Sequence, residues 1–185
     1  NFTIHHKKIP SHSLHVIYYN FPEIGRESSK VTKTAVDKIH NLYKSDVINK
    51  DDSILIIIND NVSETLETSF NDLNILLQTE SDLEDIIVDE MKKNKIMLEK
   101  RHFRNVFIFN VDILTNNLLE HRLVPKQTAI REKQDIKKIL EECNCSINQL
   151  PIILKNDTIS KLIRLTPGDI CRIERKSSTC GEYPF

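Results

Sequence analysis

Apolar positions along this chain recur in short runs whose period switches between strand-like and helix-like. Residues 15–19 (His-Val-Ile-Tyr-Tyr) are β-branched and aromatic and predict a strand. Residues 20–27 carry Pro22 and Gly25 and predict a turn or loop. Across residues 34–44, Ala35, Ile39 and Leu42 fall near one face, with Lys33, Lys38 and Lys44 elsewhere, which predicts a helix. Asp51-Asp52-Ser53 leads into Ile54-Leu55-Ile56-Ile57-Ile58, a run without polar alternation. Such a strand is covered on both faces, as in a parallel or mixed α/β sheet.

After Asn59-Asp60-Asn61, the Ser63 hydroxyl is placed to cap a helix beginning near Glu64 by accepting an otherwise unpaired backbone N–H. Leu73, Ile75, Leu76 and Leu77 predict the start of another strand. Residues 80–90 carry six acids and no base; with Leu83, Ile86 and Ile87 they predict an acidic amphipathic helix. Val106-Phe107-Ile108-Phe109 predicts a strand, and residues 112–119 a short helix or turn. This alternation argues for a small α/β layered domain over residues 1–120. Pro125 marks a boundary, because it drives Val124 toward extended backbone. Beyond it, Ile136, Ile139, Leu140 and Cys143 share one stripe of a helix over 132–143. Asp157 is placed to cap a helix over 158–162. In Thr166-Pro167-Gly168-Asp169, Pro presets the second turn position and Gly supplies positive φ at the third. Residues 170–175 predict a strand. The fold class is therefore α/β (α+β), in two parts, 1–120 and 121–185.

The charge separates along the same division. Residues 1–120 hold 14 Lys/Arg against 19 Asp/Glu, a balance of −5, and residues 121–185 hold 12 against 8, a balance of +4. Two units with different partners are expected. The net charge of −1 provides no global pull toward nucleic acid or membrane. No apolar run approaches the roughly 18 residues of a membrane span, and the polar start, residues 1–8, predicts no signal peptide.

Candidate chemistry is sparse. Gly25, Gly168 and Gly181 lie too far apart for a phosphate-binding loop, and no nucleophile elbow occurs. Cys143, Cys145, Cys171 and Cys180 do not match a zinc ribbon and are expected to be reduced thiols, with no metal. His5, His6, His12 and His15 cluster near the start without a carboxylate or Cys at helical spacing, and read as solvated side chains. His102 and His121 are isolated and read as structural or exposed. Glu90 and Lys92 resemble a fragment of a nuclease site, although they follow a helix-like stretch rather than a strand. Ser177, Ser178, Thr179 and Cys180 are nucleophile types, but no His occurs in the last 64 residues to activate one. Lys30, Lys33, Lys38, Lys44 and Lys50 read as a solvated basic face.

The last third carries a resemblance. His121-Arg122-Leu123-Val124-Pro125-Lys126, Gln149-Leu150-Pro151 with Lys155-Asn156-Asp157, Leu165-Thr166-Pro167-Gly168-Asp169-Ile170, and residues 175–183 (Arg-Lys-Ser-Ser-Thr-Cys-Gly-Glu-Tyr) occur in this order. Together they resemble the fifth subunit shared by the eukaryotic RNA polymerases I, II and III, a family that also has archaeal members. Residues 54–58 and 61–66 look like the strand and loop of the eukaryotic jaw domain.

The resemblance implies a non-catalytic subunit of a DNA-directed RNA polymerase, with no cofactor, metal or catalytic residue of its own. Residues 121–185 would be the assembly domain docking on the largest polymerase subunit, beside other subunits. Residues 1–120 would be the jaw near downstream duplex DNA. Its interface residues would include Leu123, Val124, Pro125, Lys126, Leu150, Pro151, Gly168, Asp169, Arg172, Arg175, Lys176, Ser177, Thr179, Gly181 and Tyr183. Ser63 and Thr65 would be DNA-proximal, their hydroxyls able to position phosphates, while Glu64 departs from the family pattern and would repel them. Arg131 stands where the family has a Ser/Thr helix cap. Neither a membrane partner nor a homo-oligomer is expected. The low glycine and abundant Ile, Asn and Lys point to an AT-rich source such as an asfarvirus-like cytoplasmic DNA virus. Localisation would be the host cytoplasm and virion if viral, the nucleus if cellular. The alternatives are a degenerate nuclease-like domain and a free-standing protein-binding adaptor.

Overall fold

The computed structural model describes residues 1–21, 31–79, 82–177 and 181–184, with backbone alone for Lys176, Ser177 and 181–184. The loop expected over 20–27 therefore lies mostly outside the described residues. The chain divides into two compact units, Asn1–Asn116 and Asn117–Phe185.

The first unit is built on a four-stranded sheet in the order β1-β2-β3-β4, with β1 Phe2–His6, β2 Ile9–Tyr19, β3 Ser53–Ile58 and β4 Val106–Asn110. β1 runs antiparallel to β2, whereas β2, β3 and β4 are parallel. Parallel neighbours require long crossovers, and helices supply them. α1 Thr34–Lys44 links β2 to β3; α2 Glu64–Thr79 and α3 Asp85–Lys93 lie between β3 and β4. Ile54, Ile56 and Ile58 pack with Val106 and Ile108 against Ile39 and Tyr43 of α1 and Leu66, Phe70, Leu73 and Leu77 of α2. Ile57, on the opposite face of β3, is also buried.

The strand expected at Leu73, Ile75, Leu76 and Leu77 is instead the second half of α2. Leu66, Phe70, Leu73 and Leu77 recur at four, three and four residues and form one buried stripe, while Ile75 and Leu76 face solvent. Ser63 begins this helix as expected: its hydroxyl accepts the Leu66 N–H at 3.3 Å. Asn74, on the buried side, grips the outer edge of β4. Its amide donates to the Val106 carbonyl at 3.0 Å and its oxygen accepts the Val106 N–H at 2.7 Å. The acidic helix is α3, starting at Asp85 and burying Ile87 and Met91 with Ile9 and Phe103, while Ile86 is exposed. Asn110 caps the short α4, Val111–Leu114, by accepting the Asp112 N–H at 2.8 Å.

Of the amino-terminal histidines only His5 is exposed as their position implied; His12 is buried, and His6 and His15 are half-buried. β1 and its hairpin place them in the sheet. His6 Nδ1 accepts the Ile9 N–H at 3.0 Å and closes the turn. His12 is buried, its Nδ1 3.0 Å from the Asp51 carbonyl and its ring 4.9 Å from that of Phe103. His15 Nε2 meets the Asp52 carboxylate at 2.9 Å, and its Nδ1 meets the Thr3 hydroxyl at 3.0 Å. Asp52 also accepts the Ser13 N–H at 2.7 Å, and its carbonyl accepts the Tyr43 hydroxyl at 2.9 Å. His102 is buried beside the Glu99 backbone, in a 3-10 turn over Lys100–His102.

The second unit is a three-stranded antiparallel sheet in the order β5-β6-β7, with β5 Lys126–Ile130, β6 Ile170–Ser177 and β7 Gly181–Pro184. α5 Lys133–Glu142 follows β5, and α6 Thr158–Leu162 precedes the turn into β6. Asp157 caps α6 through the Ser160 N–H at 2.9 Å. Gly168 takes φ 91°, and the Asp169 N–H closes the turn on the Thr166 carbonyl at 2.9 Å. Among the described residues of this unit, only Ile159, Ser160 and Thr166 are buried as whole residues, and the Asp169 side chain is buried with them. Ile136, Ile139 and Leu140 of α5 are half-buried and Cys143 is exposed.

Two outcomes follow for the first unit. Asn74→Ala leaves a buried N–H and C=O of β4 without partners and should lower the unfolding free energy by about 2 kcal/mol or more. Urea titration measures this, and a loss near zero would show that the clamp is dispensable. Burial raises the Asp51 carboxyl above its ordinary value, against the opposing pull of the Glu84 N–H. Folding thus favours its protonated form, and that contribution is lost as pH rises through the folded pKa. Asp51→Asn retains an oxygen for the Glu84 N–H. It should raise Tm at pH 7 and converge with the parent at pH below the carboxylate range; a lower Tm at pH 7 refutes this.

Candidate docking surface

Among the described residues, the second unit half-buries most of its aliphatic side chains and leaves several exposed. Leu123 is exposed, with Val124 and Pro125 half-buried beside it. A 3-10 turn, Ile147–Gln149, is pinned by Gln149, whose side-chain oxygen accepts the Ser146 N–H at 2.8 Å. Ile147 itself is exposed. Leu150 is half-buried and Pro151 exposed. Three aliphatic side chains follow, Ile152, Ile153 and Leu154, at 92%, 36% and 75% exposure. Solvated runs of this kind mark interaction surfaces rather than cores.

The expected interface residues fall into distinct environments. Gly168 stands exposed at the turn. Asp169 points inward, its side chain 1% exposed, accepting from the Arg131 guanidinium at 3.1 Å and from the Thr166 N–H at 3.2 Å. Arg131 also donates to the Arg164 carbonyl at 3.1 Å. Arg164 is in the left-handed region, φ 57°; burial, and then the charge of Arg131, lower the pKa of its guanidinium. Arg131 is therefore a tie between β5 and the β6 turn, and no side chain caps α5 at Glu132. Arg172 and Arg175 are exposed on β6; Arg172 lies 3.5 Å from Glu174, and Lys126 lies 3.8 Å from the same carboxylate. Ser177 pairs with Gly181 and Arg175 with Tyr183 across β6 and β7. Thr179 lies outside the described residues, as do the side chains of Lys176, Ser177 and Tyr183. Sequence reasoning passed over Ile152, Ile153, Leu154 and the Arg131–Asp169 pair; the unbroken aliphatic run after Pro151 was the available signal for the first three.

Residues 116–185 match the family model described as RNA polymerase Rpb5, C-terminal domain. The chain is 40% identical over 67 residues to the DNA-directed RNA polymerase subunit Rpo5 of Methanosphaera stadtmanae, covering 36% of this chain and 86% of that protein. It is 44% identical over 63 residues to the subunit Rpo5 of Sulfurisphaera tokodaii, covering 34% and 74%. With the Archaeoglobus fulgidus subunit Rpo5, identity is 41% over 68 residues, covering 37% and 88%. The chain belongs to the Rpb5/Rpo5 family of RNA polymerase subunits.

The first unit of this family member places Ser63 and Thr65 at the start of α2, their hydroxyls 3.2 Å apart and Ser63 engaged as the cap. Glu64 is exposed between them. Glu90 and Lys92 do not form a nuclease site. They lie on α3, where Glu90 accepts the Ser11 N–H at 3.3 Å and Lys92 meets Asp89 at 3.7 Å. Among the described residues no three His, Cys, Asp or Glu side chains are grouped to hold a metal. Cys143, Cys145 and Cys171 are free thiols, and burial raises the pKa of Cys171. No helix among the described residues is long and apolar enough to cross a membrane.

Asp169→Ala removes the acceptor shared by Arg131 and the Thr166 N–H. The second unit should lose about 2 kcal/mol or more, and Asp169→Asn, which keeps an oxygen, should lose less. Thermal unfolding followed by circular dichroism measures both; equal stability of all three proteins would refute the tie.

Proposed function

We propose that this chain is a non-catalytic subunit of a multisubunit DNA-directed RNA polymerase, in which the second unit docks on the largest subunit and the first lies beside downstream DNA. The exposed aliphatic run Ile152, Ile153 and Leu154 carries the reading, because it lies in the unit that matches the polymerase-subunit family. Covering each such side chain is worth about 1.5–3 kcal/mol, so the run can supply much of a docking energy after association costs. Leu123 and Ile147 are further exposed apolar side chains of this unit, and Arg172 and Arg175 are exposed charged groups suited to a polar rim. Lys176, Ser177, Thr179, Gly181 and Tyr183 are included among the proposed interface residues on the family resemblance. Asp169 acts there from behind, by shaping the turn.

In the first unit, Ser63 and Thr65 offer hydroxyls at the start of α2 for phosphate oxygens, a contact that positions without reading sequence. Glu64 weakens it by like-charge repulsion. Catalysis belongs to other subunits. Such a subunit works where its polymerase does: the nucleus in a cell, or the host cytoplasm and virion for a cytoplasmic virus.

Ile152→Asp combined with Leu154→Asp should abolish co-purification with the remaining polymerase subunits, with Tm unchanged because both side chains are solvated. Retention of the double variant in the complex would overturn the docking face. A wild-type chain that never fractionates with polymerase subunits would favour a free-standing adaptor.

A further inference from the structure

The docking run has a backbone as well as side chains, and among the described residues most of that backbone has no partner. Residues 151–154 belong to no helix or strand. The Leu150 N–H reaches the Ile147 carbonyl at 3.2 Å, and the Asp157 N–H reaches the Leu154 carbonyl at 3.1 Å. Between these two bonds, no group among the described residues pairs with the backbone of Ile152 or Ile153. Leu150 enters the run with φ −67° and ψ 145°, an extended geometry. Exposure then alternates, 92% at Ile152, 36% at Ile153 and 75% at Leu154, the period of a strand. Both ends are anchored, one by the Ser146–Gln149 box and the other by Asp157 capping α6.

A partner that covers Ile152 and Leu154 also strips water from these N–H and C=O groups. Buried backbone groups without partners are costly, so the cover must itself present donors and acceptors, and strand spacing matches the run best. A helix meets such groups only through single polar side chains, as Asn74 does at Val106, because its own backbone is internally bonded; an extended strand meets a run of them with its own backbone. We infer that residues 151–154 receive an extended segment of another polymerase subunit, apolar at alternate positions, which pairs with them backbone to backbone. This rests on the docking reading above. Pro151 has no N–H, so donation begins at Ile152, and the anchored ends reduce the ordering cost of pairing.

Amide hydrogen exchange on the full chain, free and assembled with the remaining polymerase subunits, tests the pairing. Assembly should slow exchange at alternate amides between Ile152 and Leu154 by at least about tenfold. Proline at whichever of Ile152 or Ile153 carries the protected amide should weaken assembly roughly tenfold relative to alanine there. Proline at its neighbour should match alanine. Unchanged exchange, or equal effects of the two prolines, would overturn strand pairing. If Ile152→Asp with Leu154→Asp still blocks assembly in that case, the docking face stands and only the strand is lost. If that double variant assembles normally, the docking face itself fails.

Discussion

Five successive apolar residues in β3, from Ile54 to Ile58, place no polar side chain on either face of the sheet, and the first unit is organised around covering both. A strand of this kind belongs at the centre of its sheet, and β2 and β4 flank it in parallel. Parallel flanking demands crossovers, and the crossovers bring α1 and α2 onto the face formed by Ile54, Ile56 and Ile58. Asn74 is a by-product of that arrangement with a function of its own. A polar residue in the buried stripe of α2 is tolerable because it meets both backbone groups of Val106. That contact also occupies part of the β4 edge, which would otherwise be free to pair with another strand.

The second unit follows the opposite rule. It has few buried side chains and is held by local devices: the Gly168 turn, the Asp157 cap and the Arg131–Asp169 pair. These devices set backbone geometry without consuming much apolar surface. Several aliphatic residues of the unit are consequently left at the surface, where a partner can cover them. A core sufficient for independent stability would have used the same residues. Arg131 shows how a change of residue type can preserve a junction by another route. Where the family resemblance implied a helix cap, a longer cation bonds the neighbouring turn.

The polar residues at the start of the chain illustrate how little position along a sequence says about burial. His12, His15, Asp51 and Asp52 look like a solvated terminus and an acidic loop, yet they bond one another across β2 and the start of β3. Tyr43 and Thr3 complete the seam. Each buried polar group there has a partner from a different element, which no local pattern could reveal.

By itself the sequence determined what depends on neighbours along the chain. The Ser63 and Asp157 caps, the turn at Gly168, α1, the strands β3 and β4, and the motifs of the last third were all legible, because a cap, a turn or a strand period involves residues within a few positions of one another. Tertiary structure alone decided the rest. Leu73 to Leu77 read as a strand in isolation, and became helix because Leu66, Phe70, Leu73 and Leu77 could share one stripe against β3 and β4. β1 exists because β2 offers it an edge. Asp169 turned inward because Arg131, 38 residues earlier, meets it. Whether a side chain is core or surface depends on which distant atoms displace its water, and that is a property of the folded chain rather than of any window of sequence.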